Sequence, residues 1–557
     1  MLVDLPAGTY TLTYDEALPV SDPGGVSIAG AGASSTSIVG DNGASGLIDE
    51  EPADSSAASP GLFASGLTLT GGSATYGGAL YISNSSSGAA ASFDNVVISG
   101  NTSSTEGGAI YSSYGNVYLT NSIVAGNTSQ SGGAIYAEYG ITQLSNSTVS
   151  QNSSPAGDDG YGGAMYLYEE DLTVTGGAVS NNTAGDLSDL GYGGAIYDDY
   201  ASLITLTNVA IDGNSASDGG AGGAINLDEV SSLDATGGSI SNDSVTGIDG
   251  VGGGIYTGGA AVSLDGTTMA NDTTGGAADV GAGGGAIYDY GYYYATDISV
   301  VDSSITGANN SAIYGYGYYG GSTWNITNTV LAGNTDSSSN ADYYSSDSGD
   351  QSGCGGAICA FNDEYGGFTI NLKGDTISGN SSSGYFAAGA VSILNNYYAN
   401  AALTMDGDTF SGNSGSGYES SGAVMSWVYD YASSSVEASG STFANNSAPN
   451  GGLGGVLDAY SDYEYSPLTV DLSSDRFSAN SAGSNTVDQE GYGGALYTYG
   501  YTTLTDTNSS FLSNVASGVG AYGGAVYNYG QTGTFNGSSF KGNSAPEADS
   551  VGGAIYS

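Results

Sequence analysis

Val117-Tyr-Leu119-Thr-Asn121-Ser-Ile-Val124-Ala-Gly-Asn127-Thr-Ser-Gln-Ser-Gly132-Gly-Ala-Ile135-Tyr136 holds three short apolar segments. The first alternates apolar and polar side chains and ends at Asn121. The second places Val124 three residues before Asn127. The third is Gly-Gly-Ala followed by Ile135 and Tyr136. Period-two alternation marks strands. Asn and Gly mark corners, because both tolerate left-handed backbone angles. The stretch therefore reads as three strands of three to five residues separated by turns.

The pattern recurs along the chain. The apolar residue of Gly-Gly-Ala-apolar-Tyr, with variations, falls at Leu80, Ile110, Ile135, Met165, Ile196, Ile225, Ile255 and Ile287. It continues at Ile313, Ile358, Val391, Val424, Leu457, Leu496, Val526 and Ile555. Alternating segments such as Ile204-Thr-Leu206-Thr-Asn208 and Trp324-Asn-Ile326-Thr-Asn328 fall between these markers. So do apolar/Asn pairs such as Ile98/Asn101, Ile211/Asn214, Ile377/Asn380, Phe410/Asn413 and Phe540/Asn543. Most intervals are 25 to 33 residues, and the longest, Ile313 to Ile358, is 45.

One such strand cannot bury its apolar face alone, whereas stacked copies wrap one core. The expectation is an all-β fold: a right-handed, single-stranded parallel β-helix, a solenoid of about 17–18 coils with three short strands each. Residues 1–70 read as N-terminal coils and cap, and 71–557 as β-helix repeats with a variable corner insertion at 335–354. Corner Asn residues should stack as an amide ladder. Many lie in Asn-x-Ser/Thr sequons, which a turn Asn explains without glycosylation. The last residues, Gly-Gly-Ala-Ile-Tyr-Ser557, lie inside a coil, with no C-terminal cap or anchor; a longer native protein is expected.

Composition narrows the function. Asp and Glu number 56, Lys and Arg 3, His 0, for a formal net charge of −53. Three cations cannot make a nucleic-acid surface. A histidine base and a Ser-His-Asp triad are absent by arithmetic. No apolar run is long enough for a membrane helix. The two cysteines, Cys354 and Cys359, flank one repeat motif as either a local disulfide or two buried thiols.

The paired motifs Gly-Gly-Ala-Ile and Phe-x-x-Asn resemble the passenger repeats of chlamydial polymorphic outer membrane proteins. More broadly they resemble right-handed β-helix repeats of bacterial adhesins. The opening Leu5-Pro-Ala-Gly-Thr-Tyr-Thr-Leu12 is similar to the first coil of many such proteins. The resemblance implies a secreted or cell-surface passenger with an adhesive role. Departures are the missing signal peptide and barrel, few cysteines, and strict Phe-x-x-Asn only in the last five units.

Two features are candidates for contact. Carboxylates recur in the variable corner before Gly-Gly-Ala, including Asp158, Asp189, Asp218, Asp249, Asp279, Asp488 and Asp549. Such an edge is either a solvated acidic rim or a set of Ca2+ ligands, since hard divalent cations take oxygen donors. No cofactor is otherwise required. The second feature is aromatic. Tyr follows the marker at Tyr81, Tyr111, Tyr136, Tyr166, Tyr197, Tyr256, Tyr288, Tyr314, Tyr497, Tyr527 and Tyr556. Alternation points these outward. They either stack on one another or form a platform for a sugar or another rod.

The reading is a non-enzymatic extracellular surface protein, adhesin-like, contacting a cell-surface glycan or protein receptor through a Tyr-rich face and variable loops. Copies of itself are the other partner, which would make it a filament subunit. A glycan-cleaving enzyme is a weaker alternative, resting on carboxylate pairs such as Asp406/Asp408 and Asp158/Asp159.

Overall fold

Sixteen apolar markers, thirteen of them behind a Gly pair, require strands that come back into register one coil later. A computed structural model shows this arrangement. It describes all residues except 14–16, 23, 42–45, 51–60, 84–88, 156–158, 187–188, 229, 248, 276–282, 338–353, 363, 385–386 and 485–489. The chain forms two compact units, Met1–Ser263 and Leu264–Ser557. Each is a parallel β-helix.

In the first unit Leu80, Ile110, Ile135, Met165, Ile196, Ile225 and Ile255 pair in succession, all in parallel strands. In the second, Ile287, Ile313, Ile358, Val391, Val424, Leu457, Leu496, Val526 and Ile555 do the same. The N-terminal residues join this scheme. Leu2–Leu5 pairs with Val26–Gly30, Gly8–Leu12 with Thr36–Gly40, and Leu18–Pro19 with Ile48–Glu50.

The Gly pair has a steric cause. Gly162 has φ 61°, where a side chain is strained, and a Cβ on Gly163 would lie 2.2 Å from the carbonyl oxygen of Gly194 in the next coil. At these coils a side chain on the corner would meet the next coil's backbone, so Gly lets them approach to strand spacing; at the Ile313 coil Asn310 and Ser311 take the two positions instead. Inside the second unit, Phe410, Phe443, Phe477, Phe511 and Phe540 stack with ring centroids 5.1, 4.9, 4.7 and 4.6 Å apart. The first four of these rings are fully buried and form a continuous apolar column.

Corner amides form the expected ladders. Asn101, Asn127, Asn152, Asn182 and Asn214 run upward to Asp243; each Nδ2 donates to the next residue's Oδ1 at 2.8–3.0 Å. Asn334, Asn380, Asn413, Asn446, Asn480, Asn514 and Asn543 repeat this in the second unit at 3.0–3.1 Å. Each backbone N–H below also donates to the Oδ1 above, as from Asn413 to Asn446 at 3.1 Å. One side chain thus satisfies a buried turn that would otherwise hold orphaned polar groups. The sequon residues Asn101, Asn127, Asn152 and Asn380 are almost completely buried. A glycosyl group has no access to them in the folded chain.

Cys354 and Cys359 form a disulfide. The Cys354 N–H donates to Asp336 Oδ2 at 2.6 Å. Most of the 335–354 corner lies outside the described residues.

Candidate functional site

Register decides what the marker tyrosines become. Strands pair in parallel, so equivalent side chains sit above one another about 4.8 Å apart. Tyr81, Tyr111, Tyr136 and Tyr166 therefore stack, with centroids 5.3, 5.4 and 4.6 Å apart, and Tyr197 follows at 5.2 Å with its ring tilted by 36°. In the second unit Tyr288 stacks on Tyr314 at 5.2 Å, and Tyr497, Tyr527 and Tyr556 stack at 5.2 and 5.3 Å. The rings are half-buried rather than water-facing, and Tyr497 is buried. Carboxylates reach several hydroxyls: Tyr166 donates to Asp199 Oδ2 at 2.6 Å, and Tyr111 to Glu138 Oε1 at 3.3 Å. Burial, then the Asp199 carboxylate, holds the Tyr166 phenol far above its ordinary pKa.

These columns have gaps. Asn226 stands between Tyr197 and Tyr256. Cys359, Ser392, Met425 and Asp458 occupy the column between Tyr314 and Tyr497. Across this second gap a different tyrosine set is prominent. Tyr293, Tyr319, Tyr365, Tyr398, Tyr431 and Tyr465 lie on the turn after the marker strand, one per coil. Their rings are parallel within 7° to 14°, with centroids 5.4 to 5.9 Å apart. Each is 47% to 65% exposed.

This outer ladder is not among the residues singled out in the sequence. The signal is a Tyr six to eight residues after the marker, within Tyr292-Tyr-Tyr294, Tyr397-Tyr398 and Tyr463-Glu-Tyr465. Turn length shifts by a residue or two between coils, so no fixed spacing shows it. Tyr398 and Tyr431 have φ 57° and 63°. Bulky residues seldom adopt this conformation, where Asn or Gly would be unstrained.

A shallow groove of about 400 Å³ runs beside this ladder. Its lining includes Thr369, Asn400, Ala402, Ser433, Ser435 and Thr469. Thr369, Ala402, Ser435 and Thr469 are register partners on successive coils. The groove floor is thus short and hydroxyl-rich, and Asn400, Ser433 and Pro467 of its lining each follow a ladder tyrosine by two residues.

The acidic corner is dispersed. Asp218, Asp249 and Asp549 have φ 51°, 63° and 61°, so each serves a left-handed turn that Asp tolerates. Asp189 is partly exposed. Asp158, Asp279 and Asp488 lie outside the described residues. Among the described residues, no three Asp, Glu or Cys side chains gather in a way that would hold a metal ion. Asp406 and Asp408 part ways: Asp406 meets Lys373 at 3.8 Å on the surface, while buried Asp408 accepts the Asp375 N–H at 2.7 Å.

The perturbed carboxyls are internal. Burial pushes Glu50 and Glu170 up to about 8, and Asp243 and Asp408 up to about 7. Asp289 and Asp458 are buried and accept the indole N–H groups of Trp324 and Trp427 at 2.9 and 2.8 Å. Glu170, Asp243, Asp289, Asp408 and Asp458 thus accept hydrogen bonds inside the core, whereas neither carboxyl oxygen of buried Glu50 has a hydrogen-bond partner among the described residues.

The profile of the Chlamydia polymorphic membrane protein repeat matches residues 95–113 and 537–557. Each matched segment carries one ladder Asn and one strand marker: Asn101 with buried Ile110, and Asn543 with Ile555, which is exposed in the last coil. The chain is a β-helix repeat protein resembling the chlamydial polymorphic membrane proteins. No curated protein matches it. A solved structure of the PL6 family alginate lyase AlyGC aligns over 99% of this chain and 87% of its own, at 11% identity and a TM-score of 0.24. A likeness that slight carries no argument about activity. The polymorphic-membrane-protein-like repeat explains why Asn and Gly-Gly-Ala recur together: one closes the corner by side-chain hydrogen bonds and the other by having no side chain.

Proposed function

We propose that this chain is a surface-associated, passenger-like β-helix that acts by multivalent contact and performs no chemistry. The observation that carries the reading is the outer tyrosine ladder, six exposed phenols on consecutive coils beside a hydroxyl-lined groove. Repetition of one weak contact along a rigid scaffold raises avidity without any single deep pocket. Tyr suits the task because it presents a large ring with little conformational entropy to lose. The stacked faces cover one another, so the ladder offers ring edges and hydroxyl groups. These fit the hydroxyl-rich surface of a neutral cell-surface glycan. The repeat resemblance supports surface placement, and the dispersed carboxylates and scarce cations support the non-catalytic reading.

Binding of the purified chain to immobilised neutral glycans tests the proposal. A triple Tyr319→Ser, Tyr365→Ser, Tyr398→Ser variant should bind at least tenfold more weakly, with an unchanged circular dichroism spectrum. Unchanged binding would reject the ladder as the contact surface. Release of reducing sugar would reject the non-enzymatic reading. Long fibres of purified chain by electron microscopy would favour self-assembly instead.

A further inference from the structure

The outer ladder shares parallel, adjacent rings with the half-buried columns and adds two properties: its rings are exposed to water, and two of them occupy strained backbone positions. Backbone hydrogen bonds hold the rungs together: the Tyr319 N–H donates to the Tyr292 carbonyl at 3.0 Å, and the Tyr365 N–H to the Tyr318 carbonyl at 2.8 Å. Side chains on an exposed turn still rotate on the nanosecond scale. Neighbouring phenol edges therefore meet repeatedly at high effective concentration.

We propose that the outer ladder is an oxidative modification site, where adjacent coils become covalently joined through dityrosine. The co-reactant is hydrogen peroxide acting through a haem peroxidase. Each of two phenols gives up one electron and one proton. The peroxide accepts both electrons and both protons and leaves as two water molecules. The two phenoxyl radicals join by a carbon–carbon bond between the ring carbons next to the hydroxyl-bearing carbons. The hydrogens displaced from those carbons move to the oxygens, restoring both phenols. Each link removes two hydrogens from the chain.

The pairs are set by geometry. Tyr398 and Tyr431 are 5.4 Å apart, Tyr365 and Tyr398 5.6 Å, and Tyr431 and Tyr465 5.8 Å. The Tyr431 and Tyr463 hydroxyls lie 3.5 Å apart, placing a further phenol against the ladder. Inner rings feed it: Tyr292 stacks on Tyr318 at 5.0 Å, and Tyr318 meets Tyr319 edge-on at 4.5 Å. The marker columns are equally close but differently placed. Tyr136, Tyr166 and Tyr197 are half-buried, and Tyr166 is tied to Asp199. They cannot swing to bring ring edges together. A net charge of −53 keeps separate copies apart, which favours links within one chain.

The test treats the full chain, at low concentration and low salt, with horseradish peroxidase and hydrogen peroxide. A digest at acidic residues is then mapped by mass spectrometry. The expected products are peptides joined at Tyr365–Tyr398, Tyr398–Tyr431 and Tyr431–Tyr465, each lighter by two hydrogens, from a species that stays monomeric. Dityrosine fluorescence appears in parallel. A Tyr398→Phe, Tyr431→Phe variant keeps the ring stack but removes a partner from all three pairs. It should lose at least half of that fluorescence. Links confined to other tyrosines, links that form only between chains and grow with concentration, or the absence of dityrosine would each overturn the proposal. So would a folded variant with undiminished fluorescence. The peptide map of the unaltered chain decides the matter if the variant misfolds.

Discussion

Asp243 occupies the rung above Asn214 where the lower rungs carry amides, and replacing it with Asn should strengthen the first unit in a pH-dependent way. Its Oδ1 accepts from the Asn214 N–H at 2.7 Å and from Asn214 Nδ2 at 2.8 Å, so an Asn oxygen would keep both bonds. The new Nδ2 would follow its predecessors, each of which donates to a carbonyl three residues before the rung below, as Asn214 does to Val179. The matching acceptor is the Ile211 carbonyl. Burial is the largest cause that lifts the Asp243 carboxyl from 3.8 to about 7, and the Asp212 charge adds to it; the Asn214 bonds oppose it. A raised carboxyl pKa stabilises the fold fully below 3.8, and that contribution is lost as pH rises through about 7. The difference of roughly 3 pKa units corresponds to about 4 kcal/mol at pH 8. Solenoid stability is local, so amide hydrogen exchange is the suitable assay. At pH 8 the Asp243→Asn variant should slow exchange in peptides 209–216 and 239–245 by up to about a thousandfold. At pH 4 the two proteins should nearly coincide. Equal exchange at pH 8, or an advantage that does not shrink on acidification, would refute the assignment of a buried, proton-hungry carboxyl.

Asn446→Ala removes the acceptor of the Asn413 N–H and leaves the Phe410 carbonyl without its amide donor. Each orphaned group costs about 1–3 kcal/mol, so the urea midpoint should fall markedly. Gly163→Ala should prevent folding of its coil, because the new methyl meets the Gly194 carbonyl, whereas Gly126→Ala, with open space around its Cβ, should cost only about 1 kcal/mol. Thermal melts of the two variants separate these outcomes. Millimolar Ca2+ should shift the melting temperature no more than Mg2+ at equal ionic strength, since no carboxylate cluster gathers among the described residues. A Ca2+-specific rise would revive the acidic corner as a metal site.

Fold and register were open to sequence reading because they rest on chemistry that repeats. Ile135 pairs with Met165, as their shared Gly-Gly-Ala context requires. The Asn127 and Asn152 rungs fall three residues after Val124 and Val149, as expected of a corner amide. The site was harder to read. Tyr136 alternates outward, but alternation says nothing about the neighbouring coil, whose Tyr166 ring covers it at 4.6 Å. The outer ladder depends on turn length, and Tyr365 and Tyr465 fall at different distances from their markers. The disulfide was undecided because a five-residue separation of Cys354 and Cys359 fits both bonded and free thiols.

The strict register of the markers has a consequence for descent. Val391 pairs with Val424, and Val424 with Leu457, each step spanning 33 residues. A genetic duplication or deletion of one such span joins equivalent points of equivalent coils. The new neighbours inherit matching amides, matching glycines and a matching core. Length in this protein is therefore a property that recombination can change in whole coils without inventing a new fold.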